Sequence, residues 1–458
     1  MPYTRGQVLH RFLLGALVGS LCVGGCEANP AFNPDATDAT VDSSTGGGYD
    51  GIGVTGADPD QPLGDVCQPL PPPQGNVMTV RPEDAESLNG IIATAPAGTT
   101  FLFEPGTYAM SGGLWITNPG VTLRSSTGNP EDVILDGQRI AGTLIAPVAP
   151  NITIAEMTLQ RPAEHAIHTS GGGGVPVTGV VAYRLRLIDP GFSAFKINPS
   201  SEDVPSDDGV LACSTIELTD AGRSELGGAC ENATGVAGFG AVGWTIRDNE
   251  ISGFWCPTGY GGPAVFFAET SADNRVERNV LRDNAVGIQF GVYEDAEPFR
   301  PLDDLPCTDG YYGHYGGVIR DNMISATGTG IAASETGFDT GVALWQVCNV
   351  AVVHNTIVSA IGAHSSIEYR FDRTTAKILN NLVTDDILVR DDAGAPVAGN
   401  ISGADLNNFT DPLGGNLHLV SSSSAIDAGV NLGEDASPHD IDGDVRAEAP
   451  DVGADEVQ

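Results

Sequence analysis

The chain has 458 residues, 59 of them acidic and 21 basic, for a formal charge of -38. A surface that acidic repels nucleic acid and anionic lipid, which excludes both as charge-bound partners. Lysine occurs only twice, aromatic residues make up 6%, and Gly, Asp, Asn, Thr and Val are abundant, a composition suited to many short strands joined by tight turns.

Residues 1–26 carry Arg5 and Arg11, an apolar run from Phe12 to Val23, and small residues ending "VGGC" at Cys26. The run is too short to span a bilayer and reads as a secretory signal. "VGGC" resembles a bacterial lipobox, which makes Cys26 the expected lipidation site and a lipid anchor the only expected membrane contact. Ordinary cleavage nearby, leaving Cys26 a plain thiol, is the alternative. Loss of this segment leaves 19 basic groups against 59 acidic ones.

Residues 27–66 lack apolar periodicity and are rich in Asp, Gly, Pro, Ser and Thr, as expected of a disordered acidic tether. With Cys22 lost in the signal and Cys26 lipidated, six cysteines remain: Cys67, Cys213, Cys230, Cys256, Cys307 and Cys348. In an exported chain they fit up to three disulfides, among about 15 possible pairings. No CxxC spacing suggests zinc.

"PEDAESLNGIIATAPAG" predicts a short amphipathic helix, and "TTFLFEPGTYAM" a first strand. A repeated pattern follows: "WTIRDNEIS", "RVERNVLR", "GVIRDNMIS", "AVVHNTIV", "KILNNLVT" and "PVAGNIS". It aligns Asn249, Asn279, Asn322, Asn355, Asn381 and Asn400 at spacings of 30, 43, 33, 26 and 19 residues. β-branched residues flanking an inward asparagine at such a period predict a parallel β-helix over 67–405, with a C-terminal coil and cap over 406–458. Stacked side-chain amides can satisfy one another's donors and acceptors in an otherwise apolar turn.

A second strand column runs through "AIHTS", "AFKIN", "GVAGF", "AVFFA", "GIQFG", "GVALW", "SIEYRF" and "DILVR". The period of two sends Ile167, Phe195, Val236, Val265, Ile288, Val342, Ile367 and Ile387 inward. The residues between them face outward: His168, Lys196, Ala237, Phe266, Gln289, Ala343, Glu368 and Leu388 in one row, and Ser170, Asn198, Phe239, Ala268, Gly291, Trp345, Arg370 and Arg390 in the next. Coils about 4.8 Å apart make each row a ladder on one flat, exposed face. Insertions Pro199 to Gly209 and Val292 to Gly316 leave from the same strands and are expected to wall that face into a groove.

From about residue 80 to its end the chain resembles the right-handed parallel β-helix proteins of the pectin-lyase-like superfamily. The resemblance rests on "GVTLRSSTGNPEDVILDG" near the start and "SSAIDAGVNLGEDASPHDIDGDVRAEAPDVGADE" at the end, typical of many exported bacterial members. It implies an all-β, single-stranded right-handed solenoid. For activity it implies a range, from polysaccharide lyases and glycoside hydrolases to proteins of no established activity, and it transfers no catalytic residue by position.

The candidate site therefore comes from geometry. Lys196 and His168 are expected on adjacent rungs, where either would serve as the base that removes a proton beside a sugar carboxylate. Glu202, Asp203, Asp207 and Asp208 follow Lys196; they would either pair with it, pinning the loop, or hold calcium, with Asp207 and Asp208 as ligands. No other cofactor is implied. At the far end, Trp345, Glu368, Arg370 and Arg390 form either a sugar-binding patch or a set of mutual ion pairs under a loop, with Gln289, Asn198 and His314 as further contacts. Hydrolysis would need two carboxyls, such as Glu368 with Glu294 or Asp295. His314, His354 and His364 are lone histidines that read as structural first, although His314 re-enters the barrel beside the same face. Asp440, Asp442 and Asp444 have calcium-loop spacing but no following bidentate Glu, and read as a cap turn. The expected molecule is a monomer that binds or cleaves an extracellular, anionic polysaccharide, by β-elimination rather than hydrolysis; a noncatalytic stalk or adhesive module is the alternative.

Overall fold

The computed structural model describes residues 67–170, 174–201, 203–292, 307, 310, 312–433 and 437–458. The signal, Cys26, the tether, Glu202, Glu294 and Asp295 lie outside the described residues.

Three parallel sheets of 12, 11 and 10 strands run along the chain. Each sheet takes its strands in the order the backbone visits them, so the chain winds as a right-handed parallel β-helix. A 3-10 turn at Pro82–Asp84 and a helix at Leu88–Thr94, which buries Leu88 and Ile92, lie at the N-terminal end. The expected first strand is not first: Val77–Val80 precedes it and pairs with Thr100–Phe103. "TTFLFEPGTYAM" itself divides into Thr100–Phe103 and Gly106–Ala109 around Pro105, which has no amide hydrogen for a ladder.

The asparagine column is a continuous hydrogen-bonded ladder. Nδ2 of Asn249, Asn279, Asn322, Asn355 and Asn381 each donates to Oδ1 of the next asparagine at 2.9 to 3.0 Å. The same oxygens also accept the preceding asparagine's backbone N–H. The ladder opens at Ser214, whose backbone N–H donates to Asn249. Each asparagine follows a left-handed residue: Asp248, Arg278, Asp321, His354 and Asn380 have φ of 52 to 55°, and Gly399 has 67°. That conformation bends the chain from one sheet into the next, and the amide bonds compensate its strain.

The six cysteines pair as Cys67–Cys213, Cys230–Cys256 and Cys307–Cys348. The C-terminal cap is an antiparallel hairpin, Phe409–Asp411 with Asn416–Leu419, followed by the terminal segment. The "DIDGD" turn winds around the buried Asp440 carboxylate, which accepts the backbone N–H groups of Asp442, Asp444 and Glu456.

Candidate functional site

The ten-stranded sheet carries the outward ladder in the expected register. His168 pairs with Lys196, then Ala237, Phe266, Gln289, Ala343, Glu368 and Leu388 in turn. Trp345, Arg370 and Arg390 are likewise one row. The face is not uniformly exposed, however. From Ala237 to Glu368 every rung is buried, with Glu368 fully so, and Trp345 is 4% exposed. Phe239, Phe266, Ala268 and Val292 form an apolar cluster on this outer side. The expected flat, open groove is thereby corrected: the middle of the ladder is covered, and it opens at Leu388 and, over several rungs, at its N-terminal end.

That end runs from Trp115 to Lys196. Trp115 pairs with Ala146, and the Ile145 to Ile167 register sets Ala146 opposite His168. Trp115, 54% exposed, is thus two rungs from His168 and three from Lys196, roughly 14 Å at the strand spacing. Lys196 is half-buried, with Nζ 3.3 Å from the centroid of the Phe239 ring. Burial pushes its amine down to about 7, against which the charge of Glu269 pulls it back up. Burial in turn raises Glu269 and the Lys196 charge lowers it. No carboxylate lies within 4.0 Å of the amine among the described residues.

His168 has a defined tautomer. Asn198 Nδ2 donates to the Pro199 carbonyl, so its Oδ1 faces His168 Nε2 at 2.8 Å, and Nε2 carries the hydrogen. Nδ1 is left with its lone pair. Burial first, and the Lys196 charge second, hold this imidazole down to about 4, partly offset by the Asn198 bond. His165 stands edge-on to His168 at 5.1 Å and donates through Nδ1 to the Ser193 carbonyl. Two neutral imidazoles and a weakly basic amine therefore share the open end.

The acidic stretch after Lys196 does not form a cation-binding loop among the described residues. Ser206–Asp207 pairs with Val177–Thr178, Asp207 accepts the Val242 N–H, and Asp208 is a left-handed corner residue packed against Gly243. Neither joins a group of three side chains close enough to share a metal among the described residues. Asp207 thus ends a two-residue strand and Asp208 turns the corner after it.

The far patch is closed on itself. Trp345 Nε1 donates to Glu368 Oε1 at 2.9 Å, Arg390 Nη1 donates to Oε2 at 2.8 Å, and His364 Nε2 lies 3.4 Å from Oε2. Arg370 stacks over the Trp345 and Phe371 rings and donates to Asp391. Gln289 is buried and donates to the Gly291 carbonyl. The arrangement is that of the ion-pair alternative, with Glu368 and Trp345 buried and bonded to each other. His314 is also corrected: fully buried, it stacks on the inward Phe290 at 3.9 Å and meets Asn274 Nδ2. His354 is buried against Asn380 at its corner.

Sequence reasoning did not select Trp115, His165 or Glu269. Trp115 lies in a strand of only three residues, Leu114–Ile116, but its alternation with Leu114 and Ile116 is the available signal. Glu269 follows a strand in left-handed conformation at φ 56°, where alternation ceases to specify direction.

No protein-family model and no curated protein sequence matches the chain. Among solved structures it is similar to the pectate lyase Pel9A, at 13% identity and a TM-score of 0.45 over 84% of this chain and 97% of that one. It is similar to a polygalacturonase from Erwinia carotovora ssp. carotovora, at 12% identity and a TM-score of 0.39 over 74% and 99%. It is also similar to PfbA, a surface adhesin of Streptococcus pneumoniae, at 10% identity and a TM-score of 0.41 over 71% and 90%. Each is a likeness of architecture alone.

Proposed function

We propose that the chain is an exported, lipid-anchored protein that binds an acidic polysaccharide along the open end of its outward ladder and cleaves it by β-elimination. The observation that carries this reading is Lys196: a half-buried amine, pushed down to about 7, with no carboxylate in ion-pairing distance among the described residues. A sugar carboxylate seated there supplies the missing counter-charge and draws the amine back to ammonium. His168 is the base. Its bare Nδ1 takes the proton from the carbon bearing the carboxylate; that electron pair becomes a carbon–carbon double bond as the bond to the glycosidic oxygen breaks, and solvent protonates the departing oxygen. The Trp115 ring offers an apolar face to a sugar farther along the chain. The coil spacing is close to the length of one sugar unit in an extended polysaccharide, which suits binding along the solenoid.

The closed patch around Glu368 favours a second reading, a noncatalytic carbohydrate-binding module of the cell surface. Incubation with a panel of uronate-containing and neutral polysaccharides separates the two. Elimination gives ultraviolet-absorbing unsaturated products from a uronate polymer; His168→Ala loses turnover and keeps binding, whereas Lys196→Ala weakens binding. New reducing ends without absorbance would mean hydrolysis. Absence of any product, with retention unchanged in Lys196→Ala, would remove the site from consideration.

A further inference from the structure

The two ends of the solenoid are finished differently. At the N-terminal end the helix Leu88–Thr94 buries Leu88 and Ile92 in the main core, and Asn89 accepts the backbone N–H of Trp115 in the edge strand beside it. At the other end the hairpin lies to one side. Phe409, Leu417 and Leu419 pack with Met323, Val358 and Leu382. Those three alternate with Ile324, Ile357 and Val383 of the main core, so the hairpin covers the outer face of the eleven-stranded sheet and leaves the last coil bare.

Inward rows run out into solvent there. Val389 follows Tyr369 and Val397 follows Ile378 in register, yet Val389 is 49% exposed and Val397 45%. The strands Ile387–Arg390, Val397–Ala398 and Ile401–Ser402 are the last of the three long sheets, each paired on one side only. The asparagine ladder ends at the same level. Each earlier asparagine gives its backbone N–H to the next, whereas that of Asn400 has no acceptor among the described residues.

We propose that this end binds an extended segment of a partner protein, apolar at alternate positions and basic at both ends, which adds one strand to Ile387–Arg390. The strand is six rungs, about 29 Å, from Lys196, and the proposal does not depend on the chemistry there.

Charge selects the partner. In "DDILVRDD", residues 385–392, two acids stand on each side of the strand. Asp385 accepts from Ala363 and Thr384, Asp391 accepts from Arg370, and Arg390 is bonded to Glu368. Asp386 and Asp392 are exposed, and their carboxylates take no hydrogen bond or ion pair among the described residues. One uncompensated charge therefore stands at each end of a strand about 13 Å long. A second copy of the chain fits poorly: its N-terminal end is plugged, and its C-terminal end would set Asp386 and Asp392 against their equals. Acids beside an edge strand guard it against its own kind. A segment with lysine or arginine at both ends meets opposite charge twice, while its alternate apolar side chains cover Ile387 and Val389.

The test uses the full folded chain and a fluorescein-labelled octapeptide of alternating valine and threonine with two lysines at each end. Anisotropy should show one saturable site, and hydrogen exchange should show new protection confined to Ile387–Arg390 and the rest of its coil. A control peptide with serine for each valine carries the same charge and should bind roughly tenfold more weakly, which separates the edge from general attraction to an acidic surface. Val389→Lys, at a half-exposed position, should abolish the protection and leave the circular dichroism unchanged. Asp386→Asn together with Asp392→Asn should weaken binding roughly fivefold and remove most of its salt dependence. Equal binding of the serine control, or protection elsewhere on the chain, would overturn the proposal in favour of charge alone. Failure of the octapeptide to bind would overturn it too and leave Asp386 and Asp392 as guards of a bare edge. A peptide-free dimer that Val389→Lys dissociates would give this end to a second copy instead.

Discussion

Lys196 holds its ammonium 3.3 Å over the Phe239 ring while the Glu269 carboxylate, outside ion-pairing distance, adds a negative field, so its charge is stabilised by a ring face and a field rather than by an ion pair. The amine titrates at about 7 in the fold, against the ordinary lysine value of 10.5 that the unfolded chain retains. Between these pH values the unfolded chain holds a proton that the folded one has released, so stability rises with pH across the window; below 7 both forms are charged and the full cost of burying the charge remains. Glu269, raised by burial, acts oppositely, losing stability as pH rises above 4.5 toward its folded value. In a Glu269→Gln background, Lys196→Met should therefore raise the thermal midpoint at pH 6, with the gain fading toward pH 10. A gain independent of pH would show that the amine titrates normally.

Glu368 accepts from Trp345 and Arg390 at zero exposure. Its replacement by alanine leaves the indole N–H and the Arg390 charge without this acceptor, at a cost of about 3 kcal/mol or more. Urea unfolding should show that loss, while polysaccharide retention by the folded fraction stays unchanged. Lost retention at unaltered stability would instead return Glu368 to the binding site.

The ladder register was legible because strand alternation has a period of two: one lysine between Phe195 and Ile197 can point only outward, and His168 follows by pairing. Six asparagines between β-branched residues were equally legible, since an amide there has few other ways to be satisfied. Burial of the face was not, because alternation tells which side a residue takes and nothing of what packs over it. Glu368 meets Trp345 and Arg390 diagonally across neighbouring strands, a choice of rotamer rather than of register. Asp207 and Asp208 read as an acidic loop for a related reason: composition does not distinguish a carboxylate facing solvent from one accepting a corner amide, as Asp207 does from Val242. Of the two readings of His314, the structural one describes it: its short strand, His314–Tyr315, lies at a corner and turns the ring toward Phe290.

Asn322 is mid-ladder and fully buried, donating to Asn355, Val276 and Arg320 and accepting twice from Asn279. Asn322→Ala strands donors and acceptors on both neighbouring coils and should destabilise by about 3 to 5 kcal/mol, several unsatisfied buried groups at about 1 to 3 kcal/mol each with partial relaxation. Asn400 ends the ladder and is partly exposed, so Asn400→Ala should cost only about 1 kcal/mol. Denaturant midpoints of the two variants decide this; equal losses would mean that the ladder's value does not depend on its burial.

Trp115 is 54% exposed on the same row as His168 and Lys196, separated from His168 only by the small Ala146. Its ring has no aromatic partner among the described residues, and its backbone N–H donates to Asn89, a bond that a substitution of the side chain leaves in place. Trp115→Ala should therefore shift unfolding by no more than about 0.5 kcal/mol, as surface substitutions do. Loss of one stacking face should weaken binding of a uronate oligosaccharide by roughly tenfold. The length dependence makes the test specific. An oligosaccharide that spans the three rung spacings from Lys196 to Trp115 should feel the substitution, whereas a disaccharide held at Lys196 is too short to reach the ring and should bind both forms alike. Equal weakening of the two would place the tryptophan's effect on the fold, and no weakening of either would take the ligand off this end of the ladder.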